Sequence, residues 1–287
     1  MNFDISYSID KVRLKGKMSN SQYQKLLQEK LEFGLDVMYF EKRKIASMRH
    51  NFRITIDEDK SFYFGICQNN FDNINNSIMA IEFNPNKISL GEPQLLSWLQ
   101  YFDLSNGLGN SIHDDDFIHH TKLQLCDIAC DIKGIIPSDL IVDSHKQTQK
   151  HLYYGKNQTY YLGLKEGREK IYDKGIERGL KDMKMTRYEI TVYPKHAVHN
   201  INDIELDLDR HMSKLFTNKP IVDKLDLKPT DSAIIFAVLN GYPIKSLNQR
   251  KRAMVKEILG EDNQIHLDKK KMHECIFNFC DELKEVI

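Results

Sequence analysis

Several features that would place this chain of 287 residues in a common protein class are missing from it. No apolar run approaches the roughly 18 residues that a membrane span needs. The start, MNFDISYSID, lacks the basic and apolar regions of a signal peptide. No G-x-x-x-x-G-K-[ST] phosphate-binding loop occurs either. These absences predict a cytoplasmic protein that does not hydrolyse ATP by itself.

Cysteine is scarce, and its spacing does not favour a structural metal site. The five cysteines form an odd set without a C-x-x-C pair. Cys126 and Cys130 lie four residues apart within one predicted strand, which places the two sulfur atoms too far apart to bridge. We therefore expect five reduced, mostly buried thiols and no zinc site.

Neither sign of charge is in excess, since 41 Lys and Arg balance 41 Asp and Glu. Affinity for nucleic acid comes largely from cationic side chains, so a DNA-binding protein of this composition must separate its charges locally. Such a region exists between Lys165 and Arg187, with eight basic against five acidic residues. With 41% hydrophobic and 29% charged residues, the chain has the composition of a globular protein.

Alternating apolar residues predict strands over much of the first 200 residues, with a few helices between them. The expected strands follow Phe3 to Leu14 and then lie at 52–56, 62–66, 78–83, 122–132, 159–164, 170–174 and 187–192. Helices are expected at Ser21–Phe33 and around Leu95–Phe102. We predict an α+β domain over residues 1–200, built on an antiparallel-rich sheet with flanking helices.

From about residue 201 the periodicity changes to that of helices, over Ser232–Leu239, Leu247–Leu259 and Leu267–Val286. We predict a smaller helical region over 201–287 that binds DNA or forms a dimer contact. Its second helix carries three consecutive cations, Arg250, Lys251 and Arg252. These either contact DNA phosphates or form an ordinary exposed helix face.

The most informative block of sequence is TYYLGLKEGREKIYDKGIERGLKDMKMTRYEITV, at 159–192. With the period of two that governs strands, Lys170, Tyr172 and Lys174 share one face of a strand. Arg187 and Glu189 share a face of the next strand in the same way. In the upstream segment LCDIACD, the carboxylates Asp127 and Asp131 also lie on one face. If these strands are neighbours, all seven side chains meet on one surface.

The pattern YLG-x₆-KIYDKG-x-E followed by TRYEI, after LCDIACD, resembles the Rep_trans type of rolling-circle replication initiator. The resemblance covers roughly residues 78–195 and is strongest at 159–192. Filamentous-phage replication nickases share a looser version of the layout. The resemblance implies a nickase fold of the HUH type, either single or duplicated, that starts rolling-circle replication of small plasmids. Relatives of the family act as relaxases of integrative elements.

The resemblance places Tyr172 at the nucleophile of the family and Lys174 at the lysine that follows it. Asp127 and Glu189 fall at acidic positions that hold Mg²⁺ or Mn²⁺, and Asp131 and Glu82 are further candidate ligands. A second group of residues would contact DNA phosphates: Lys170, Arg187, Arg250, Lys251 and Arg252.

The sequence departs from the family pattern at two points. Lys170 stands where the family commonly has arginine, which keeps the charge but loses bidentate phosphate geometry. The H-x-H triplet of the wider nickase superfamily is absent. The adjacent His119 and His120 cannot replace it, because neighbouring residues of a strand point to opposite faces.

The chemistry expected at Tyr172 is the attack of its oxygen on a DNA phosphodiester, which leaves a 5′-phosphotyrosine that can later be rejoined. Because a tyrosine hydroxyl titrates near ~10, we expect Lys174 and a divalent cation to favour the phenolate. Tyr160 and Tyr161 are rival nucleophiles. Two other functions remain open: a metal-dependent nuclease that activates water, and an origin-binding initiator that does not cut DNA.

The implied partners are an origin that is single-stranded or extruded as a cruciform, a host helicase, and a second copy of the chain as a homodimer. No membrane partner is expected.

Overall fold

A computed structural model describes residues 3–19, 23–24, 37–40, 45, 48–68, 76–99, 121–154, 157–180, 182–194, 196–197, 206–217 and 227–286. The strands are β1 (Ile5–Ser19), β2 (Val37–Phe40), β3 (His50–Thr55), β4 (Ser61–Gln68), β5 (Asn76–Phe83), β6 (Lys122–Lys133), β7 (Leu140–Asp143), β8 (Gln149–Tyr154), β9 (Asn157–Leu162), β10 (Arg168–Asp173), β11 (Met185–Val192), β12 (His196–Ala197), β13 (Lys214–Thr217) and β14 (Gln264–Ile265). The helices are α1 (residues 93–99), α2 (Lys174–Glu177), α3 (Leu208–His211), α4 (Pro229–Leu239), α5 (Gln249–Leu259) and α6 (Lys269–Val286).

The chain folds into two compact units, each assembled from three segments. Unit A contains Met1–Tyr7, Ala129–Thr191 and Asp207–Lys271, and unit B contains Ser8–Ile128, Val192–Leu206 and Met272–Ile287. The division into a catalytic α+β domain over residues 1–200 and a helical region over 201–287 stays a prediction.

The main sheet of unit A has the strand order β6-β11-β10-β9-β8, with β6 contributing the residues that belong to this unit. Strands β8 to β11 form successive antiparallel pairs. The tight turn between β9 and β10 needs glycine at position 167, where φ is +70° and a Cβ atom would lie 2.5 Å from the ring of His211. This turn fixes the register of β10, the strand that carries Tyr172.

A second, three-stranded sheet of unit A, with the order β14-β13-β7, supports the two helices α4 and α5. Buried side chains from these elements form one apolar cluster: Ile141, Phe216, Ile235, Val238, Ile244, Val255 and Leu259. Burial of such aliphatic and aromatic side chains stabilises the fold by roughly 1.5–3 kcal/mol for each one.

Unit B has the strand order β2-β3-β4-β5-β1-β6, and the short strand β12 also pairs with β6. Its core contains Trp98 of α1, whose ring centroid lies 4.7 Å from that of Phe64 and 6.4 Å from that of Phe62. The helix predicted around Leu95–Phe102 is present, and its residues Leu95, Trp98 and Leu99 are buried.

The predicted α+β class is confirmed, with antiparallel strand pairs, flanking helices and C-terminal helices close to their predicted positions. The sequence did not predict six of the strands: β2, β7, β8, β12, β13 and β14. The expected helix over Ser21–Phe33 lies mostly outside the described residues, as do His119 and His120. Likeness to the nickase fold and a duplication stay predictions. No helix in the described ranges is long and apolar enough to cross a membrane.

Candidate active site

The register of unit A gathers the predicted site residues of β10 and β11 on one side of the sheet. Tyr172 lies directly opposite Arg187, and Lys170 lies opposite Glu189. Residues opposite each other in an antiparallel pair point to the same face. We call this side, defined by these four residues, the tyrosine face. The expectation that they share a surface is therefore met.

Tyr172 contacts a carboxylate through its hydroxyl and an ammonium group through its ring. Its hydroxyl donates a hydrogen bond of 2.6 Å to Oε1 of Glu189, the residue diagonal to it across the strand pair. The ammonium of Lys170 lies 3.8 Å from the centroid of the Tyr172 ring, in cation–π geometry, and 3.9 Å from Oε2 of Glu189. Tyrosine, carboxylate and ammonium thus form one contact group.

Burial raises the pKa of the Tyr172 hydroxyl well above its ordinary value, and the Glu189 carboxylate raises it further. The Arg187 guanidinium acts in the opposite direction but does not overcome these two effects. The phenol is therefore protonated at neutral pH, with its proton directed at a carboxylate. The side chains around Tyr172 thus do not by themselves favour the phenolate, and Glu189 is placed to accept the proton when the oxygen attacks. The effect of a divalent cation on this pKa stays a prediction.

Lys174 does not lie on the strand, which corrects the predicted face of three alternating residues. Strand β10 ends at Asp173, whose carboxylate caps helix α2 by accepting a hydrogen bond of 2.9 Å from the backbone N–H of Ile176. Lys174 begins the helix and pairs with Glu177. Its ammonium still lies 5.8 Å from the centroid of the Tyr172 ring.

Arg187 and Asp131 form a buried bidentate pair next to Tyr172. The guanidinium donates from Nε to Oδ1 at 2.6 Å and from its second nitrogen, Nη2, to Oδ2 at 2.7 Å. The two side chains are only 4% and 12% exposed, respectively. Both carboxylate oxygens of Asp131 are thus bonded to a cation of the protein, and the pair orients Arg187 on the tyrosine face.

The other two candidate metal ligands belong to unit B, where each faces a cation of the protein. Asp127 forms an ion pair with Lys11, in which Nζ of the lysine lies 3.1 Å from Oδ2 of the carboxylate. Glu82 accepts from Nε of Arg13 at 2.8 Å and is the residue directly opposite it in the β1–β5 pair.

The assignment of Asp127, Glu189, Asp131 and Glu82 as ligands of a divalent cation stays a prediction. Among the described residues, no group of three His, Cys, Asp or Glu side chains could hold a metal ion. Mg²⁺ requires several oxygen ligands in near-octahedral geometry.

The basic run of helix α5 divides into structural and exposed residues. Lys251 pairs with Asp231 at 2.5 Å, and Arg252 donates to the backbone oxygens of Lys245 at 2.6 Å and Leu247 at 3.2 Å. These contacts tie α5 to α4 and to the turn between them. Arg250 is exposed. Its contact with DNA stays a prediction.

The rival tyrosines of β9 point in opposite directions. Tyr160 stacks on His151 with ring centroids 3.9 Å apart and belongs to the face opposite Tyr172. Tyr161 is opposite Lys170 in the register and therefore lies on the tyrosine face. Only Tyr161 of these two shares a surface with Tyr172.

Two further cations on the tyrosine face, Arg168 and Lys150, were not predicted from the sequence. Arg168 precedes Lys170 by two residues on β10 and is exposed, so period-two spacing alone could have identified it. Lys150 of β8 is exposed and opposite Tyr161. Its position on the tyrosine face follows only from the register of β8, β9 and β10. Together they extend positive charge along the side of the sheet that carries Tyr172.

No protein-family model matches the chain, and no curated protein matches it in sequence. Among solved structures, the chain is similar to the rolling-circle replication initiator protein from Geobacillus stearothermophilus. The TM-score is 0.40 and the identity 12%, over 89% of this chain and 97% of the other. A likeness at this level does not assign a function.

Proposed function

We propose that the chain is a replication initiator that binds an origin and nicks one DNA strand through Tyr172, which starts rolling-circle replication. The observation that carries the proposal is the hydrogen bond of 2.6 Å from the Tyr172 hydroxyl to Glu189, beneath the ammonium of Lys170. A nucleophile with an adjacent base and adjacent cations is the arrangement that covalent catalysis requires. The sequence pattern at 159–192, which resembles the Rep_trans type of initiator, points to the same chemistry.

In the proposed step, Oη of Tyr172 attacks the scissile phosphorus while the phenolic proton passes to Glu189. The bond between phosphorus and the 3′-oxygen breaks, and that oxygen takes up a proton from water. The 5′-phosphate stays on Tyr172 as a phosphodiester. In the reverse direction a 3′-hydroxyl attacks the phosphotyrosine and gives its proton back to the solvent, and Glu189 returns its proton to the tyrosine oxygen. No net energy source is needed.

The cations of the tyrosine face supply charge for the phosphate. Lys170 is 34% exposed on its side chain and lies over the Tyr172 ring, so it can contact a phosphate that approaches the hydroxyl. Arg168 lies two residues earlier along the same face. Charge-assisted hydrogen bonds from such groups stabilise the additional negative charge of the transition state.

A requirement for Mg²⁺ or Mn²⁺, implied by the family resemblance, is tested by removing divalent cations with EDTA and adding them back one at a time. Cleavage that stops with EDTA and returns with Mg²⁺ or Mn²⁺ is the expected result. Cleavage at an unchanged rate in EDTA would contradict it.

Because the absent phosphate-binding loop excludes ATP-driven unwinding by this chain, we also propose a separate helicase as partner, and a homodimer as the working form.

The proposal is tested by incubating the protein with labelled single-stranded DNA and separating the products on a denaturing gel. We expect a protein–DNA adduct that Tyr172→Phe abolishes, because this change removes the attacking oxygen and keeps the ring. Tyr188→Phe is the matched control: its hydroxyl donates 2.5 Å to the buried Glu169 on the opposite face, so it loses an equivalent hydrogen bond. Tyr161→Phe tests the rival on the tyrosine face.

Each alternative function predicts a different gel. An adduct that survives Tyr172→Phe but not Tyr161→Phe would move the nucleophile to Tyr161. Cleaved DNA without an adduct would favour a nuclease that uses water. Retained DNA binding with neither product would favour an initiator that marks an origin without cutting.

A further inference from the structure

An exposed apolar cluster follows directly after the strand that carries Tyr172. Six large hydrophobic side chains are exposed in the described residues, and three of them lie between 174 and 184: Ile176 at 36%, Leu180 at 50% and Met183 at 36%. We call residues 174–184 the apical loop. A globular surface rarely concentrates large aliphatic side chains in so short a segment without a binding role.

The described part of the apical loop is tied down by its backbone. The N–H of Leu180 donates to the oxygen of Gly175 at 2.8 Å, and that of Met183 donates to the oxygen of Leu180 at 3.1 Å. Glycine is required at 175, because a Cβ atom there would lie 2.0 Å from the backbone oxygen of Met183. The exposed side chains are therefore held on a folded backbone, which lowers the entropy lost when they bind.

The charge of the apical loop fits a nucleic acid. Its sequence KGIERGLKDMK has four lysine and arginine residues against two acidic ones. Arg178 and Lys184 are exposed beside the apolar side chains. Mixed aliphatic and cationic character is what proteins use when they insert an apolar wedge between base steps of DNA.

The position of the loop connects it to the candidate active site. Lys174 begins the loop and holds its ammonium 5.8 Å from the centroid of the Tyr172 ring. Glu177 of the same loop contributes to the raised pKa of Tyr172. A DNA strand that places a phosphate at Tyr172 therefore runs next to the apical loop.

We propose that the apical loop is a DNA wedge: Leu180, with Ile176 and Met183 beside it, inserts next to the scissile phosphate and keeps the adjacent base unstacked. The wedge would let the protein nick where the origin is still partly paired, at the junction of a stem and a loop. This inference rests on the proposed function, which supplies the phosphate at Tyr172.

The test uses DNA hairpins that the protein itself retains from a randomised pool, with 2-aminopurine placed at the junction of stem and loop. Its fluorescence rises when the base loses its stacking partners. The variant is Leu180→Ser, and the matched control is Leu164→Ser, since Leu164 is 74% exposed on the turn at the opposite end of β10. Both changes are on the surface, so both proteins are expected to fold.

We expect the wild type and Leu164→Ser to raise the fluorescence and Leu180→Ser to lose most of the increase. Nicking at the paired junction is expected to fall about tenfold in Leu180→Ser, a modest part of the cost of unstacking a base step. Nicking of fully single-stranded DNA is expected to stay within about twofold, because an unpaired base needs no wedge.

Equal fluorescence with both variants, or no increase with the wild type, would overturn the wedge. A loss of dimer rather than of fluorescence in Leu180→Ser would show a contact between two copies instead, and would also overturn it. A wild type that raises the fluorescence without nicking would refute the proposed function and leave the wedge intact.

Discussion

Glu189→Gln is expected to slow adduct formation on single-stranded DNA about a hundredfold at neutral pH, the lower range of what a general base contributes. Glu189 accepts the hydrogen bond of the Tyr172 hydroxyl at 2.6 Å, so the variant has no group to take the proton. Its amide also removes a negative charge that raises the pKa of Tyr172. The remaining reaction then depends on the phenolate.

The two proteins should therefore differ in how their rates depend on pH. In the wild type, the raised pKa of Tyr172 keeps the phenolate scarce, and the rate through Glu189 stays nearly constant from about pH 7 to 9. In Glu189→Gln the rate is expected to rise about tenfold per pH unit, because the phenolate fraction does so below the pKa. Single-turnover rates of adduct formation across this range check both slopes.

Glu177→Gln is the matched control for that experiment. Glu177 is a second carboxylate near Tyr172, but it pairs with Lys174 and does not accept the tyrosine proton. Its variant should keep the flat profile and most of the rate. A Glu189→Gln protein with wild-type rate and profile would show that another group, or water, removes the proton.

Asp131→Asn is expected to lower the free energy of unfolding by about 3–5 kcal/mol, because it leaves the Arg187 guanidinium buried without its counter-charge. The guanidinium side chain is 4% exposed, so water cannot replace the lost carboxylate. Denaturant unfolding followed by circular dichroism measures the change. Nicking is expected to fall as well, since Arg187 loses the partner that orients it opposite Tyr172.

Asp4→Asn supplies the control, because it makes the same substitution in an exposed pair of unit A. Asp4 bonds Lys133 at 2.8 Å, with side chains 70% and 50% exposed, and such pairs contribute about 0–1 kcal/mol. An Asp131→Asn protein as stable as Asp4→Asn, but with weakened dependence on Mg²⁺ or Mn²⁺, would contradict the structural role and restore Asp131 as a metal ligand.

The strands of the site could be predicted because polar and apolar side chains alternate over part of each strand. This held for β6, β10 and β11, and it placed Arg187 and Glu189 on one face. The end of β10 was readable too: Asp173 is a typical helix-capping residue three positions before Ile176. Lys170 and Lys174 alternate with Tyr172, and this spacing predicted a strand that continues to Lys174. The capping residue Asp173 ends the strand one residue earlier.

Contacts between strands distant in sequence could not be predicted. The pair of Asp131 and Arg187 joins residues 56 positions apart, and only the order of β6 and β11 brings them together. The same limit applies to the diagonal bond from Tyr172 to Glu189. The small sheet of β7, β13 and β14 escaped detection because strands of two to four residues are too short for a period to be recognised.

The most direct test of a tyrosine nickase is to identify the amino acid that carries the DNA. The adduct is digested with nuclease and trypsin, and the peptides are sequenced by mass spectrometry. We expect a nucleotide attached through its 5′-phosphate to the peptide that contains Tyr172. A nucleotide on Tyr161, or on any other residue, would contradict it.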